Sequence, residues 1–241
     1  METEAKTIAV LTGDIVESTL LSATERTRLN QALTQGLTTL VGKDQHEIFR
    51  GDSFQILLED PSLALKTALQ VRCLLRKSLI SDQLQQDVTQ EKTEGIENKK
   101  ANPLLYSYKK EVVDARIAIG LGKTGYKSPH IRTSDGEAFQ LSGRALDSLK
   151  SKGPRLVVAT PHQEFNAYQE VICSFLDVFI NSWSLQQAEV VFELLEGKKQ
   201  QEIAEMLHIS QASVSQRTTT AHWQEVEKAL ALFQKKTQQL F

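Results

Sequence analysis

The sequence predicts an α+β protein in two parts, a strand-containing domain over residues 1–165 and an all-α domain over 184–241, joined by a helix at 166–183. Three observations carry this. Short β-branched runs alternate with helical patterns in the order strand, helix, hairpin, helix, strand. Two of the strand-like runs end in Gly-Asp, at Gly13-Asp14 and Gly51-Asp52, and from Leu185 onward the apolar residues recur only at helical spacing. With 241 residues, 40% of them hydrophobic, the chain has the material for a sizeable core.

Thr7 to Leu11 reads as a buried strand that delivers Asp14 to the loop after it. Ser22 to Leu40 follows as a helix, with Leu29, Leu33, Leu37 and Leu40 on one face and Ser22 and Glu25 spaced as a capping box. His46–Phe49 and Phe54–Leu58 are strands separated by Arg50-Gly51-Asp52-Ser53, which puts Asp52 at the tip of a hairpin. Pro61 opens the next helix, through Leu65, Leu69 and Cys73. Residues 81–108 are rich in Gln, Glu, Lys and Asn and read as a mobile insert. Ala115–Leu121 is a strand, Phe139–Leu149 a helix, Arg155–Ala159 a strand and Phe165–Phe179 an apolar helix leading out of the domain. This order matches a ferredoxin-like βαββαβ sheet with further elements appended, in which the first strand and the hairpin are neighbours.

Composition narrows the function classes. A net charge of −2 and a pI near 6.2 give no global attraction to DNA, so any nucleic-acid contact must be local. The acidic opening Met1-Glu2-Thr3-Glu4 lacks the basic stretch of a signal peptide, and no apolar run is long enough to span a bilayer, so a cytoplasmic protein with no membrane partner is expected. Cys73 and Cys173 lie in apolar helical patterns and read as buried thiols. The five histidines show no zinc spacing. Gly120-Leu121-Gly122-Lys123-Thr124-Gly125 fits a dinucleotide-binding pattern, but Pro129 and polar residues follow where that fold needs a helix. Arg50-Gly51-Asp52, an adhesion tripeptide in secreted proteins, reads as chance in a cytoplasmic chain.

An aspartate after a strand is ordinarily a cap or a turn former. Two at the ends of neighbouring strands are better explained by a hard divalent cation, which takes oxygen ligands from one or two carboxylates and from substrate phosphates. These residues resemble the class III nucleotidyl cyclases and, more distantly, the diguanylate cyclase domain. Asp14-Ile15-Val16-Glu17-Ser18-Thr19 resembles the first cyclase motif and Gly51-Asp52 the second. The resemblance implies that Asp14, Asp52 and the Ile15 carbonyl hold Mg²⁺ or Mn²⁺, and that the backbone from Ile15 through Val16, Glu17, Ser18 and Thr19 cradles the phosphates of a nucleoside triphosphate.

The likeness runs to about Thr160. Arg116–Gly120 resembles the strand that follows in cyclases, and Asp135 to Arg144 the helix carrying their transition-state asparagine and arginine. Gln140 and Arg144 occupy those two positions, four residues apart and so on one helix face, where a guanidinium can grip a phosphate oxygen. The chain departs from the family at Gln140, which replaces the asparagine, at Ile48, where adenylyl cyclases read the base with a lysine, and at Glu137, where they use an aspartate. Against the diguanylate pattern, Arg50 and Ser53 replace a glycine and a glutamate.

In the C-terminal part, Leu185–Leu195, Gln200–Leu207 and a helix starting at Gln211 with Ser210 as N-cap resemble the helix-turn-helix of bacterial regulators and of sigma-factor region 4. The resemblance implies that Gln211, Ser213, Ser215, Gln216 and Arg217 face DNA, where Gln and Arg pair with base edges. Against this, from Asn181 onward six basic residues face seven acidic ones, so phosphate attraction is weak and paired modules are needed. Taken whole, the chain is similar to the SatD family of bacterial proteins. The expected function is a cytoplasmic, homodimeric regulator that couples a metal- and nucleotide-binding cyclase-like domain to a DNA-binding tail. The alternatives are an active nucleotidyl cyclase whose tail serves regulation or dimerisation, and an interaction protein with a dead site.

Overall fold

A computed structural model describes residues 6–49, 51–78, 113–125, 131, 134–149 and 153–241. The 81–108 insert expected from composition lies outside the described residues. The described elements are β1 (Thr7–Ile15), α1 (Ala23–Val41), β2 (His46–Phe49), β3 (Ser53–Leu58), α2 (Ala64–Lys77), β4 (Ala115–Lys123), α3 (Glu137–Leu149), β5 (Leu156–Ala159), α4 (Gln163–Ser182), α5 (Leu185–Leu195), α6 (Gln200–Met206), α7 (Gln211–Thr220) and α8 (Trp223–Leu240). The protein is thus α+β, with a five-stranded mixed sheet in the order β2-β3-β1-β4-β5. Every neighbouring pair is antiparallel except β4 with β5.

Alternation along β1 gives the sheet two different faces. Ala9, Leu11 and Ile15 point to one side, where Leu29, Leu33 and Leu37 of α1 and Leu65, Leu69 and Cys73 of α2 cover them. That core is continuous with Phe165, Cys173 and Leu176 of α4, with Trp183, and with Val226 and Phe233 of α8. Ile8 and Val10 point to the other side, against Leu57, Ile131 and Ala138. Gly120 lets α3 lie directly on the sheet there, since a Cβ at that position would sit 2.2 Å from the Ala138 carbonyl oxygen. A separate apolar cluster of Val190, Ile203, Ala204 and Val214 ties α5, α6 and α7 together.

Several boundaries differ from the sequence reading. β1 does not stop at Leu11 but pairs through to Ile15, so Asp14 is a strand residue with two paired neighbours. Gly13 makes this continuation possible, because the Phe54 ring lies where its Cβ would be, at 2.3 Å. The capping box at Ser22 and Glu25 forms as expected, and Ser184 and Gln187 form a second one that opens α5. The glycines of the dinucleotide-like pattern at 120 and 122 lie inside β4, with the strand continuing to Lys123. The long terminal helix α8 has no counterpart in the sequence reading, though Val226, Phe233 and Thr237 mark its buried side.

Candidate functional site

The pairing that positions Asp14 also positions Asp52. Asp14 stands opposite Ser53 in the β1/β3 register, and the Ile15 amide donates to the Asp52 carbonyl at 2.8 Å, so both aspartates sit at the same end of the sheet. Their carboxylates are engaged differently. Asp14 lies on the α3 face and meets its β4 register partner, Arg116, whose Nε donates to Oδ1 at 2.7 Å and whose terminal nitrogen lies 3.3 Å from Oδ2. Asp52, half-buried at the hairpin, accepts from the Ser18 hydroxyl at 2.9 Å and from the Ser53 hydroxyl at 3.3 Å.

Between them runs the 15–19 segment. Ile15 is buried, Val16 and Ser18 are half-buried, and Glu17 and Thr19 are exposed. Glu17 has φ 57°, a left-handed conformation uncommon for a residue with a side chain, and it leads into a short 3₁₀ turn at Ser18–Leu20. The turn is held from two sides, through Ile15 to the hairpin and through the Val16 amide, which donates to the Asp114 carbonyl at 2.9 Å. Oxygens at this end of the sheet include the two carboxylates, the Ser18 hydroxyl and the Ile15 carbonyl. Asp14 is 8% exposed, and the Arg116 guanidinium on it opposes a cation by charge.

The sheet face leading to Asp14 changes from apolar to polar along β1. After Ile8 and Val10 comes Thr12, whose hydroxyl bonds the Ser142 hydroxyl of α3 at 2.9 Å and accepts from Gln55 at 3.3 Å. Ser142 belongs to the buried side of α3, with Ala138, Leu146 and Leu149. Gln140 and Arg144 are exposed on the opposite side. They share a face, but the fold turns that face away from the sheet, so one chain does not gather them with the two aspartates. Glu137 accepts from the Lys123 amide at 3.1 Å, at the far end of β4 from Asp14.

In the C-terminal helices, Ser210 caps α7 through the Ser213 amide at 3.1 Å, and its hydroxyl bonds the Ser213 hydroxyl at 2.8 Å. Ser213 is therefore occupied at its own helix end. Gln211, Ser215 and Gln216 are exposed, and Arg217 leans back towards Glu189, 4.0 Å away. Val214 is fully buried, and His208 takes φ 53° in the turn where a glycine is usual.

Sequence reasoning missed Arg116 and, behind the candidate site, a buried charge network. Asp114 accepts from Arg72 Nε at 2.9 Å, from terminal nitrogens of Arg72, Arg76 and Arg155 at 2.8, 2.7 and 2.9 Å, and from the Ala115 amide at 2.8 Å. Asp177 of α4 pairs with Arg72 and accepts from the Arg155 and Leu156 amides at 2.7 and 3.1 Å. Burial pushes the Asp114 carboxyl up, but the charges and hydrogen bonds of Arg72 and Arg76 outweigh it and hold the group well below the usual carboxylate range. The network also reaches the helical tail, because Arg76 donates to the Trp183 carbonyl at 3.0 Å and the Trp183 indole donates to the Ala221 carbonyl at 2.9 Å. The available signal was Arg72 and Arg76, charged and four apart, flanking the apolar Cys73, Leu74 and Leu75.

The two thiols take no part in the site. Burial pushes Cys73 up to about 12 and raises Cys173 further, leaving both protonated at neutral pH. Two surface grooves, of about 520 and 400 Å³, lie away from Asp14 and Asp52, one beside Leu58, Lys66 and Glu196 and one between α1 and α2 beside Lys77 and Glu189. No helix among the described residues is long and apolar enough to cross a membrane. No protein-family model matches the chain, and no curated protein does.

Proposed function

We propose that this protein is a regulator in which a ferredoxin-like, cyclase-like domain binds a nucleoside triphosphate with Mg²⁺ or Mn²⁺ at Asp14, Asp52 and the 15–19 turn, and a helix-turn-helix in α5–α7 binds DNA. The observation that carries the first half is the delivery of both carboxylates to one sheet end, with the left-handed turn at Glu17 between them. The second half is supported by the capped α7, whose buried Val214 leaves Gln211, Ser215 and Gln216 on the open side. Arg217 joins them on releasing Glu189. The Asp114–Arg76–Trp183–Ala221 chain of hydrogen bonds gives the nucleotide turn a physical connection to the end of the DNA-facing helix.

The test is thermal stabilisation by each nucleoside triphosphate with and without Mn²⁺. A ligand that binds only the folded state at a hundred times its Kd adds about 2.7 kcal/mol of stability. A metal-dependent rise with one nucleotide, absent in Asp52→Ala, is the expected outcome; no rise with any nucleotide rejects the site. A second reading, an active cyclase, is favoured by the shared exposed face of Gln140 and Arg144, which suits delivery to a partner protomer's aspartates. There Arg144 would stabilise charge developing on the phosphates, and Asp14 and Asp52 of the other protomer would hold the metal, which would supply Lewis acidity towards the ribose hydroxyl. A cyclic nucleotide seen by mass spectrometry with wild type and lost in Arg144→Ala decides for it.

A further inference from the structure

Helix α4 carries an apolar seam that the fold leaves in water. Tyr168, Val171, Phe175 and Val178 are 59%, 56%, 60% and 65% exposed. Their spacing of three, four and three residues is the a/d repeat of a coiled coil, with aromatic residues at a and valines at d. The helix cannot rotate to hide them. Its other side is committed to the core through Phe165, Gln169, Cys173, Leu176 and Ile180, and Asp177 is locked into the buried ion network.

The polar groups beside the seam are turned onto their own helix. The Ser174 and Ser182 hydroxyls turn back onto the Val171 and Phe179 carbonyls at 2.7 Å, and the Tyr168 hydroxyl donates to Glu164 at 2.9 Å. Between 165 and 182 the only charged residue on the exposed side is Glu170. A solvated helix face ordinarily carries several charges, and scattered exposed apolar residues are ordinary only when they are single.

We infer that this face of α4 is the surface on which a second copy of the chain docks, α4 against α4 across a two-fold axis. A heptad seam is complementary to itself, as an isologous interface requires, and its near-neutrality asks for no differently charged partner. At these exposures the four side chains offer roughly 450 Å² per copy, so that a pair burying them completely removes about 900 Å² from water, close to the size at which an interface becomes specific once flanking residues are added. The inference is independent of the nucleotide reading. It places the two tails, which begin just after α4, beside one another.

The experiment is the mass of the full chain in solution by light scattering or sedimentation. Wild type should run at twice 27.0 kDa. Phe175→Glu combined with Val178→Glu should run as a monomer with an unchanged circular dichroism spectrum, because both positions are exposed. A monomeric wild type at its highest soluble concentration overturns the inference, and so does a double variant that remains dimeric. Cysteine cross-linking gives a check that survives poor folding of the charged variant, since the native thiols are buried. Oxidised Phe175→Cys should link to itself if the helices run parallel, or to Val171→Cys if they run antiparallel; no link in either mixture overturns the pairing.

Discussion

Two acid–guanidinium constellations stand two residues apart along the β1/β4 pairing, and they are built to different ends. At Asp114 five nitrogen donors converge on one carboxylate with no solvent access, and every oxygen position is used. At Asp14, itself 8% exposed, the Arg116 guanidinium, about a quarter exposed, covers the carboxylate at the sheet end, and the nearby Asp52 carboxylate holds only hydroxyl donors from Ser18 and Ser53 among the contacts described. The first is closed to any ligand and joins α2, β4, β5 and α4 into one body. At the second, Asp14 is buried as well, and only the Asp52 carboxylate stays half-buried at the hairpin with hydroxyl donors. Proximity in sequence to a strand end is therefore a poor guide to role, and donor saturation is a better one.

The comparison breaks most visibly at Asp114. Asp114→Ala leaves Arg72, Arg76 and Arg155 facing a vacant carboxylate position inside the protein, a kind of change that costs about 3–5 kcal/mol, so a large fall in the urea midpoint, or failure to fold, is expected. Acid sharpens the same point. Because the folded Asp114 carboxyl is held below its unfolded value, its contribution to stability is complete above about pH 4 and is lost as pH falls through the folded value. Asp114→Asn should lower stability at neutral pH and flatten the acid limb of the melting curve; an unchanged acid limb would argue against the assignment.

Smaller effects belong to the open constellation. Asp52→Ala should change the melting temperature of the unliganded protein little, while removing the Mn²⁺-dependent nucleotide stabilisation, about 2.7 kcal/mol at a hundred times Kd. Arg116→Gln removes a partly exposed ion pair worth about 1 kcal/mol or less and lifts a positive charge from Asp14. Mn²⁺ affinity measured by calorimetry should rise; a fall would make Arg116 a supporting residue of the site rather than its competitor.

Much of the local structure was legible in the chain because it is dictated locally. The Ser22/Glu25 box, the hairpin around Gly51 and the Ser210 cap are arrangements of neighbours, and each forms where its residues stand. The strand-end aspartates were legible for the same reason, as Gly-Asp after apolar runs. The extension of β1 through Asp14 was not, since it depends on the Phe54 ring filling the space above Gly13 from another strand. Arg116 was hidden because its pairing with Asp14 is set by cross-strand register, and Asp114, Arg155 and Asp177 because their side chains reach partners 21 to 105 residues away.

By itself, then, the sequence determined which segments become strands and helices, where most of them start, and that two carboxylates terminate adjacent elements, all consequences of side-chain period and short-range hydrogen bonding. Tertiary structure alone decided that Asp114 was buried under three arginines and Asp14 under one, while Asp52 stayed half-buried with hydroxyl donors. It also decided that the Gln140 and Arg144 face turns outward and that the seam of α4 is left exposed. The physical reason is that burial and charge pairing are set by what the rest of the chain brings to a residue, and periodicity carries no record of that.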